Sequence, residues 1–410
     1  MSETRRPLEG VKCVCATANQ QGPSAFAMMA DLGAEVIKIE PPGAGERGRR
    51  IYIHPEFPLN LYYETNNRGT KCLSLNFQLE KGREILYTLV KAANVFAQNL
   101  RPDVAERYGF TYEDLVKVNP SIIYLNMTTY GPDGPQAKLS GTDGAAQAAG
   151  GLASLFADED GRMMTGRHSV ADETAALVNF GAILAGLYYQ KVTGEGQKID
   201  TSLLGGQLRL MGHSVARVAM TGNVALAGTE IRGRRAHISG GSAPLISAPF
   251  YDKDGKGFLI QQQGDEVWQK SMAACGFDKK LAEVGCTSLV DVAGSEEKIN
   301  IFFDTLDELF ATNTREHWLE ILHGLDIISA PLNTLLEATQ YPDVIANNYV
   351  IEVDHPRVGK IKEVGFPWKF SKTPAKAGIA PEVGEHTNEI LKGLGYSDAD
   401  IEQLREEGVV

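Results

Sequence analysis

Apolar residues in the first forty positions follow the order strand, helix, strand. The run "GVKCVCAT" (10–17) has strand length, "GPSAFAMMADLG" (22–33) has helical spacing, and "AEVIKIE" (34–40) is again strand-like. Pro23 lies near the start of the helix and Gly33 directly after it, where these residues are usual. A strand–helix–strand unit predicts two parallel strands.

The same order recurs further along the chain. Strand patterns at 71–77, 94–99 and 121–128 alternate with a helix at 80–93 and helical pieces up to Val118. Such alternation is typical of an open parallel sheet with helices on both faces. The sequence therefore predicts an α/β fold with a doubly wound parallel sheet.

A long apolar helix is predicted next. Residues 172–196 are apolar on nearly every side, which indicates a buried helix, and Gly194 is a typical residue at its end. The Gly- and Ala-rich stretch 141–156 before it suits close packing, or the approach of backbone to a ligand. A further strand is predicted at 197–204.

After about residue 225 the pattern changes. Two strands joined at Asp254–Gly255 are followed by helical stretches to about 325, and 349–370 is again strand-rich. Two short helices close the chain, with caps predicted at Thr387 and Ser397. Because 410 residues exceed one ordinary core, two compact domains, or one domain with a large insertion, are expected.

Composition narrows the class of protein. The apolar share of 43% and charged share of 22% are those of a globular protein, and the net charge of −12 disfavours general nucleic-acid binding. No stretch approaches the roughly 18 uninterrupted apolar residues of a membrane span. The opening "MSETRRPLEG" lacks the apolar core of a signal peptide, so a cytoplasmic location is expected.

The cysteines and histidines indicate neither disulfides nor a metal. The cysteine count is odd and no pair has zinc-site spacing, while the eight histidines are scattered. No metal site is therefore expected. The five cysteines are Cys13, Cys15, Cys72, Cys275 and Cys286.

The stretch "GAGERG" (43–48) matches the dinucleotide fingerprint letter for letter. That fingerprint must lie between a strand and a helix, and here prolines precede it and no helical periodicity follows, which favours a surface loop. Arg47, Arg49 and Arg50 in this loop are either phosphate ligands or solvated surface charges.

Two turns are candidates for contacting a ligand. Gln20 lies in the first strand-to-helix turn, where α/β proteins often bind ligands; simple turn chemistry explains it equally well. Gly240 and Gly241, in "ISGGSAP", expose backbone N–H groups that suit an oxyanion, or form an ordinary turn.

Asp172 has two interpretations. An aspartate just before a long helix is most often an N-cap. The alternative is a carboxylate nucleophile, which the helix dipole would keep ionised. No Ser-His-Asp pattern, nucleophile elbow or P-loop competes for a catalytic role.

The order and spacing of several motifs resemble the class III coenzyme A transferases, the family of the formyl-CoA:oxalate and carnitine CoA-transferases. The likeness covers almost the whole chain. It rests on "PLEGVK", "DLGAEVIKIEPP", "NNRGTKCLSLN", "NLRPDVAERYGFTYEDLVKVNPSIIYLNMTTYGPDGP", "TGEGQKIDTSLL", "APFYDKDGKGFLI" and "GEHTNEIL".

The resemblance implies a domain arrangement. A large doubly wound domain would be built from both chain ends, 1–224 and 331–410, with a smaller α+β domain inserted at 225–330. Two subunits would form an interlocked dimer, either of identical chains or with a paralogous subunit.

The resemblance also implies the roles of individual residues. Asp172, in "VADETAA", would form covalent acyl and CoA intermediates, Gln20 would contact the reacting group, and Gly240 and Gly241 would lie in a mobile loop. A CoA thioester would be a substrate, and no permanently bound cofactor is implied. The positions matching CoA contacts are Asn99, Arg107 and Tyr130, with Arg47 and Arg49 taking phosphate contacts because Pro41 replaces a basic residue.

Oxalate is not the expected acceptor, because Ile51 stands about where the oxalate enzyme has a tryptophan and the Gly loop is shorter. The apolar residues around "RRIYIHPEFPLNLYY" favour a larger, partly apolar or aromatic acid. An aryl or alkyl dicarboxylate such as benzylsuccinate, with succinyl-CoA as donor, is one candidate. Two alternatives remain. One is an acyl-CoA racemase or isomerase that uses His168, and the other is a non-catalytic subunit of a mixed complex.

Overall fold

The computed structural model describes residues 5–53, 55–156, 162–224, 234, 237–239 and 245–410, with Pro102 and Gln263 in backbone only. The chain divides into two compact units. The first combines both chain ends, up to 156, 163–212 and 345–410, and the second contains 213–344. The inserted segment is thus longer at both ends than the 225–330 read from the sequence.

The first unit is built on a parallel sheet of six strands in the described part of the chain. Their order is β3-β2-β1-β4-β5-β6, and each neighbouring pair is parallel. This result confirms the predicted α/β fold with a parallel sheet. The strands are β1 (Lys12–Ala16), β2 (Glu35–Glu40), β3 (Lys71–Ser74), β4 (Val95–Gln98), β5 (Ile123–Thr128) and β6 (Gln197–Ser202).

Helices cover both faces of this sheet. Strand side chains alternate, so Cys13 and Cys15 pack with Phe26 and Phe180 on one face, while Val14 packs with residues of the other face. The helices are α1 (Gln21–Asp31), α2 (Leu61–Asn67), α3 (Glu80–Lys91), α4 (Pro102–Tyr108), α5 (Tyr112–Val118), α6 (Asp143–Ala149), α7 (Val170–Thr193) and α8 (Leu203–Leu210), with 3-10 turns at Arg47–Arg50 and Leu152–Phe156.

The C-terminal residues complete the first unit. Helix α17 (Thr387–Gly393) packs beside β3, and α18 (Asp398–Glu406) follows it. The predicted cap at Ser397 is confirmed, since its hydroxyl accepts from Asp400 N. The predicted cap at Thr387 is wrong, because Thr387 is already helical and its hydroxyl instead accepts from Ser74 N. A hairpin of β11 (Val350–His355) and β12 (Gly359–Val364) precedes these helices.

Helix α7 is buried along one face only. Phe180 and Ile183 lie in the core, whereas Tyr188 is 72% and Val192 66% exposed. The expected burial on every side is therefore not seen within a single chain. By length and composition α7 is the one described helix that is apolar enough to span a membrane, and core helices of water-soluble proteins meet the same criterion.

The second unit is a small α+β body. Its antiparallel sheet has the order β10-β9-β8-β7, and the predicted turn at Asp254–Gly255 joins two of its strands. Phe250, Phe258 and Phe310 centre its core. The elements are β7 (Ile238–Ser239), β8 (Leu245–Tyr251), β9 (Gly257–Gln263), α10 (Asp265–Ala274), α11 (Asp278–Glu283), α12 (Leu289–Ala293), α13 (Glu296–Phe310), α14 (Arg315–Gly324), β10 (Ile328–Pro331) and α15 (Leu335–Gln340), with α9 (Gly212–Thr221) and α16 (Pro342–Ala346) at its boundaries.

Candidate active site

The candidate site lies where the order of the parallel sheet reverses. Strands β1 and β4 are neighbours, but the chain leaves them in opposite directions, toward β2 and β5. Open α/β sheets bind ligands at the carboxyl ends of such strands. Here the turns after β1 and β4 are tied together, because Ala18 N donates to Asn99 Oδ1 and Asn99 Nδ2 donates to Ala18 O, both at 2.8 Å.

A cavity of about 560 Å³ opens at this edge of the sheet. Its volume falls within the usual range for small-molecule and cofactor pockets. Several of its polar residues come from segments far apart in the chain, among them Asn19, Arg47, Asn99, Arg101, Asp143, Arg167, His168 and Asp172.

Asp172 is not the cap of α7. The helix begins at Val170, and Asp143 caps it from α6, since Asp143 Oδ1 accepts from Ala171 N at 2.7 Å and from Asp172 N at 3.1 Å. Gln147 Nε2 in turn donates to Asp143 Oδ2 at 2.5 Å. The side chain of Asp172 is therefore left available in the first turn, at the wall of the cavity.

Asp172 holds its proton more tightly than an ordinary aspartate. Burial, followed by the nearby carboxylates of Asp143 and Glu173, raises its pKa to about 7, against a smaller lowering by the backbone N–H of Gln21. The helix terminus therefore does not by itself keep this group ionised, since with a pKa of about 7 it is only partly ionised at neutral pH. Desolvation and two like charges outweigh the helix terminus.

Gln20 is bonded to Glu173, the residue next to Asp172. Its Nε2 donates to Glu173 Oε1 at 2.5 Å, and Ser24 Oγ donates to Glu173 Oε2 at 3.5 Å. Glu173 thus links the start of α1 to the start of α7. The two adjacent acids therefore differ in role, because Glu173 is hydrogen-bonded to α1 residues while Asp172 faces the cavity.

A second cavity, of about 690 Å³, lies on the other side of the first turn of α7. Tyr52, Tyr62, Arg167, His168 and Ser169 line both cavities. The rings of Tyr52 and Tyr62 are 5.4 Å apart, and burial, followed by the Asp172 carboxylate, raises the pKa of Tyr62. Leu177 and Leu210 add apolar surface to the second cavity only.

Three exposed arginines line the first cavity: Arg47, Arg101 and Arg167. None of their guanidinium groups has an ion pair or hydrogen bond to any described residue. Sequence reasoning identified Arg47 and missed the other two. The position of Arg101, three residues after the end of β4, was a usable signal, whereas Arg167 precedes α7 in a stretch without a recognisable pattern.

Arg49 does not face the cavity. Its guanidinium forms two bonds to Glu40, at 2.6 and 3.0 Å, and also donates to Tyr63 Oη and Pro381 O. The predicted phosphate contact of Arg49 is therefore replaced by a structural one. The physical reason is that Glu40, fully buried, needs a cationic partner.

The remaining predicted residues are placed differently. Arg107 projects from α4 to an exposed pair with Asp103, at 2.9 Å, and does not line either cavity. Tyr130 follows Thr129, which does line the first cavity. Gly240 and Gly241 lie outside the described residues. His168 is exposed and lines both cavities.

Known proteins are similar to this chain over nearly its whole length. The chain matches the family model CoA-transferase family III over residues 8–387. It is 32% identical over 420 residues to succinyl-CoA:glutarate CoA-transferase from Homo sapiens, an alignment that covers 99% of this chain and 90% of the relative. It is 28% identical to formyl-CoA:oxalate CoA-transferase from Rhodopseudomonas palustris, with 98% and 97% covered.

Solved structures have the same fold. A CAIB/BAIF family protein from Brucella suis superposes with a TM-score of 0.82 at 25% identity, over 95% of this chain and 100% of that one. Since the family model spans nearly the whole chain, the relationship is not confined to the parallel sheet. The protein belongs to CoA-transferase family III and is an enzyme of the CoA-transferase type.

Proposed function

We propose that this enzyme moves coenzyme A from an acyl-CoA donor to a carboxylic acid through covalent intermediates on Asp172. One observation carries the proposal. Asp143 caps α7 in place of Asp172, so Asp172 lies free of that role in the wall of the cavity. The same cavity holds three arginines whose guanidinium groups have no partner among the described residues.

The reaction begins when the Asp172 carboxylate attacks the donor thioester carbon. The carbon–sulfur bond breaks, CoA leaves as a thiolate, and a mixed anhydride remains. The thiolate then attacks the aspartyl carbonyl carbon and displaces the donor acid as its carboxylate. An acceptor carboxylate attacks the resulting aspartyl-CoA thioester and releases the thiolate. In the last step the thiolate attacks the acceptor carbonyl, which forms the new acyl-CoA and regenerates Asp172.

Each step passes through a tetrahedral oxyanion that needs prearranged donors. The backbone N–H of Gln21 acts on the Asp172 carboxyl, and the Gln20 amide is bonded to the neighbouring Glu173. In the proposed mechanism these two groups stabilise the oxyanion at the aspartyl carbon. Gly240 and Gly241 keep their proposed role as a loop over the reacting carbonyl.

We assign the phosphates of CoA to Arg47, Arg101 and Arg167. Guanidinium groups suit phosphate oxygens, and these three have no competing described partner. Asn99 supports the site by holding Ala18. Arg107 and Tyr130 lie outside the cavity lining, so their proposed contacts belong to more distant parts of CoA, such as the adenine end.

The proposed acceptor is an alkyl or aryl dicarboxylate, with succinyl-CoA as the donor. Two relatives are named for succinyl-CoA with glutarate and for formyl-CoA with oxalate. Ile51, Tyr52 and Tyr62 give the cavity an apolar and aromatic wall that favours acids larger than oxalate, benzylsuccinate among them. A panel of acids assayed with succinyl-CoA and acetyl-CoA, with glutarate and benzylsuccinate included, tests this assignment.

We also propose that the enzyme acts in the cytoplasm as a dimer, of identical chains or with a paralogous subunit. The apolar outer face of α7, with Leu177, Tyr188 and Val192 exposed, supports a partner surface there. Sedimentation of the purified chain, alone and co-expressed with a paralogue, distinguishes the two assemblies.

The test of the covalent mechanism is a trapping experiment. The protein is incubated with succinyl-CoA, treated with hydroxylamine or borohydride, and mapped by mass spectrometry. We expect the modification on Asp172, none in Asp172→Asn, and retained labelling in the control Glu173→Gln. An unmodified Asp172 in a fully active enzyme would exclude the mechanism.

A second candidate function is proton transfer in an acyl-CoA racemase or isomerase. A carboxyl with pKa about 7 beside His168 is suited to acid–base chemistry. Deuterium uptake at the α-carbon of an acyl-CoA, without movement of CoA to a second acid, would favour this candidate.

A further inference from the structure

Glu46 is a buried carboxylate that joins two segments at the cavity. Only 5% of the residue is exposed. Its Oε2 accepts from Asn19 N at 3.1 Å, in the turn after β1, and from Gly48 N at 2.5 Å, in the 3-10 turn that carries Arg47. One oxygen therefore sets the distance between these two segments.

The turn after β1 depends on such outside contacts. Asn19 has a φ of +63°, in the left-handed region that asparagine enters more readily than most residues other than glycine. Its N–H is held by Glu46, and the preceding Ala18 is held on both sides by the Asn99 amide. Gln20 and Gln21, which act on Glu173 and Asp172, follow immediately.

The other oxygen of Glu46 is matched to a buried cation. Lys38, 1% exposed, donates from Nζ to Glu46 Oε1 at 3.1 Å and also to Asn67 Oδ1. The neighbouring buried carboxylate, Glu40, has its own partner in Arg49. Two cations and two carboxylates therefore balance, and removal of the charge of Glu46 alone leaves Lys38 in excess.

We propose that Glu46 is a positioning residue for the reacting carboxyl. Through Asn19 it fixes the turn that aims the Gln21 N–H at Asp172, and through Gly48 it fixes the turn that presents Arg47 to the cavity. The inference rests on the proposed function only for the identity of Asp172 as the reacting group.

Three variants distinguish a role of Glu46 in positioning the groups around Asp172 from a role in stability alone. Glu46→Gln keeps the shape but places an amide against Lys38. The double variant Lys38→Met, Glu46→Gln removes that cation, so the amide oxygen can again face the two N–H groups. Asp31→Asn is the matched control, because Asp31 is buried and ion-paired to Arg68 at the opposite end of α1.

The first measurement needs no CoA. The protonation of Asp172 is followed by carbodiimide labelling against pH, with mass spectrometry of the α7 peptide. Asp143, Glu173 and Tyr62 are the titratable groups that act electrostatically on Asp172 or feel its charge. In Glu46→Gln we expect the labelling midpoint to rise, because the N–H of Gln21, which lowers the pKa of Asp172, is misplaced. The double variant should recover most of this shift, and Asp31→Asn should not move it.

The second measurement is the rate of aspartyl labelling by succinyl-CoA in a single turnover. Glu46→Gln should lower it about tenfold, through loss of alignment. If Glu46→Gln shifts the melting temperature as Asp31→Asn does but leaves the midpoint at the wild-type value, Glu46 is only structural and the inference is wrong. If wild-type protein shows no aspartyl label while the midpoint shift is observed, the proposed function fails and the positioning role stands.

Discussion

Two clusters of acidic residues lie within the first unit and differ in whether cations compensate their charge. Around Glu40 and Glu46, each buried carboxylate has a cation, Arg49 or Lys38, within 3.1 Å. At the start of α7, Asp143, Asp172 and Glu173 have no cationic partner among the described residues and are held by amides and backbone N–H groups. In the first cluster each carboxylate is held by a cation. In the second, little stabilises the charged form of one carboxyl, that of Asp172.

The proton affinities of the two clusters follow this difference. Glu40 is desolvated, yet Lys38 and Arg49 more than offset burial and lower its pKa. At Asp172 burial acts in the same direction as the like charges, and the pKa rises to about 7. Strong shifts of this kind in a cleft are typical of reacting groups. We infer that paired charges stabilise the structure around Glu40 and Glu46, whereas the unpaired carboxylates at the start of α7 favour the proposed reaction of Asp172.

The largest expected effect is a loss of activity on substitution of Asp172, in the cluster at the start of α7. Asp172→Asn should lower CoA transfer by at least about a thousandfold, because an amide cannot form the anhydride. Steady-state transfer from succinyl-CoA measures it, with circular dichroism to establish an intact fold. Transfer at the wild-type rate would remove Asp172 from the mechanism.

The next largest effect is a loss of stability on substitution of Glu40, in the cluster whose carboxylates are paired with cations. Glu40→Gln should lower the free energy of unfolding of the first unit by about 3–5 kcal/mol, since Arg49 then loses its buried partner. Urea denaturation followed by far-UV circular dichroism measures it. The control Lys81→Met, which breaks the more exposed pair with Glu407, should change little.

A smaller effect, with a defined pH dependence, is expected for the stability of Asp172→Asn. The folded-state pKa of Asp172, about 7, lies above the ordinary value of about 4. The contribution of this group to folding is therefore fully present below about pH 4 and is lost as the pH rises toward 7. The variant should therefore match wild type at pH 4 and be more stable at pH 8, by on the order of 2 kcal/mol. Denaturation at both pH values tests the sign, and equal stability at pH 8 would contradict the raised pKa.

The smallest expected effect concerns the cavity arginines. Arg47→Met and Arg101→Met should each weaken CoA binding by about tenfold, more at low salt, through loss of a phosphate contact. Isothermal titration with CoA measures it, and Lys117→Met, on the exposed side of α5, is the control. A wild-type affinity for CoA in both arginine variants would show that its phosphates do not bind at Arg47 or Arg101.

Much of the fold was accessible from the sequence because local patterns encode it. The alternation of strands and helices, the stop at Gly194 and the capping at Ser397 are properties of short segments. Helix α2 was missed because "NLYYETNN" lacks apolar periodicity and is held by Asn60 and by its neighbours. The role of Arg49 was also missed, since nothing in the loop sequence shows that Glu40 lies beside it.

The sequence alone determined the class of the protein: a parallel α/β sheet, and motifs whose order is typical of one transferase family. Only the tertiary structure decided which of several acids and arginines are available for chemistry. Asp143, Glu46 and Arg49 are bonded to partners up to 332 residues away. Asp172 has no ionic partner among the described residues, and the guanidinium groups of Arg47 and Arg101 have no partner there at all. A side chain's chemistry depends on burial and on neighbouring charges, and those are set by contacts between distant segments that no local pattern records.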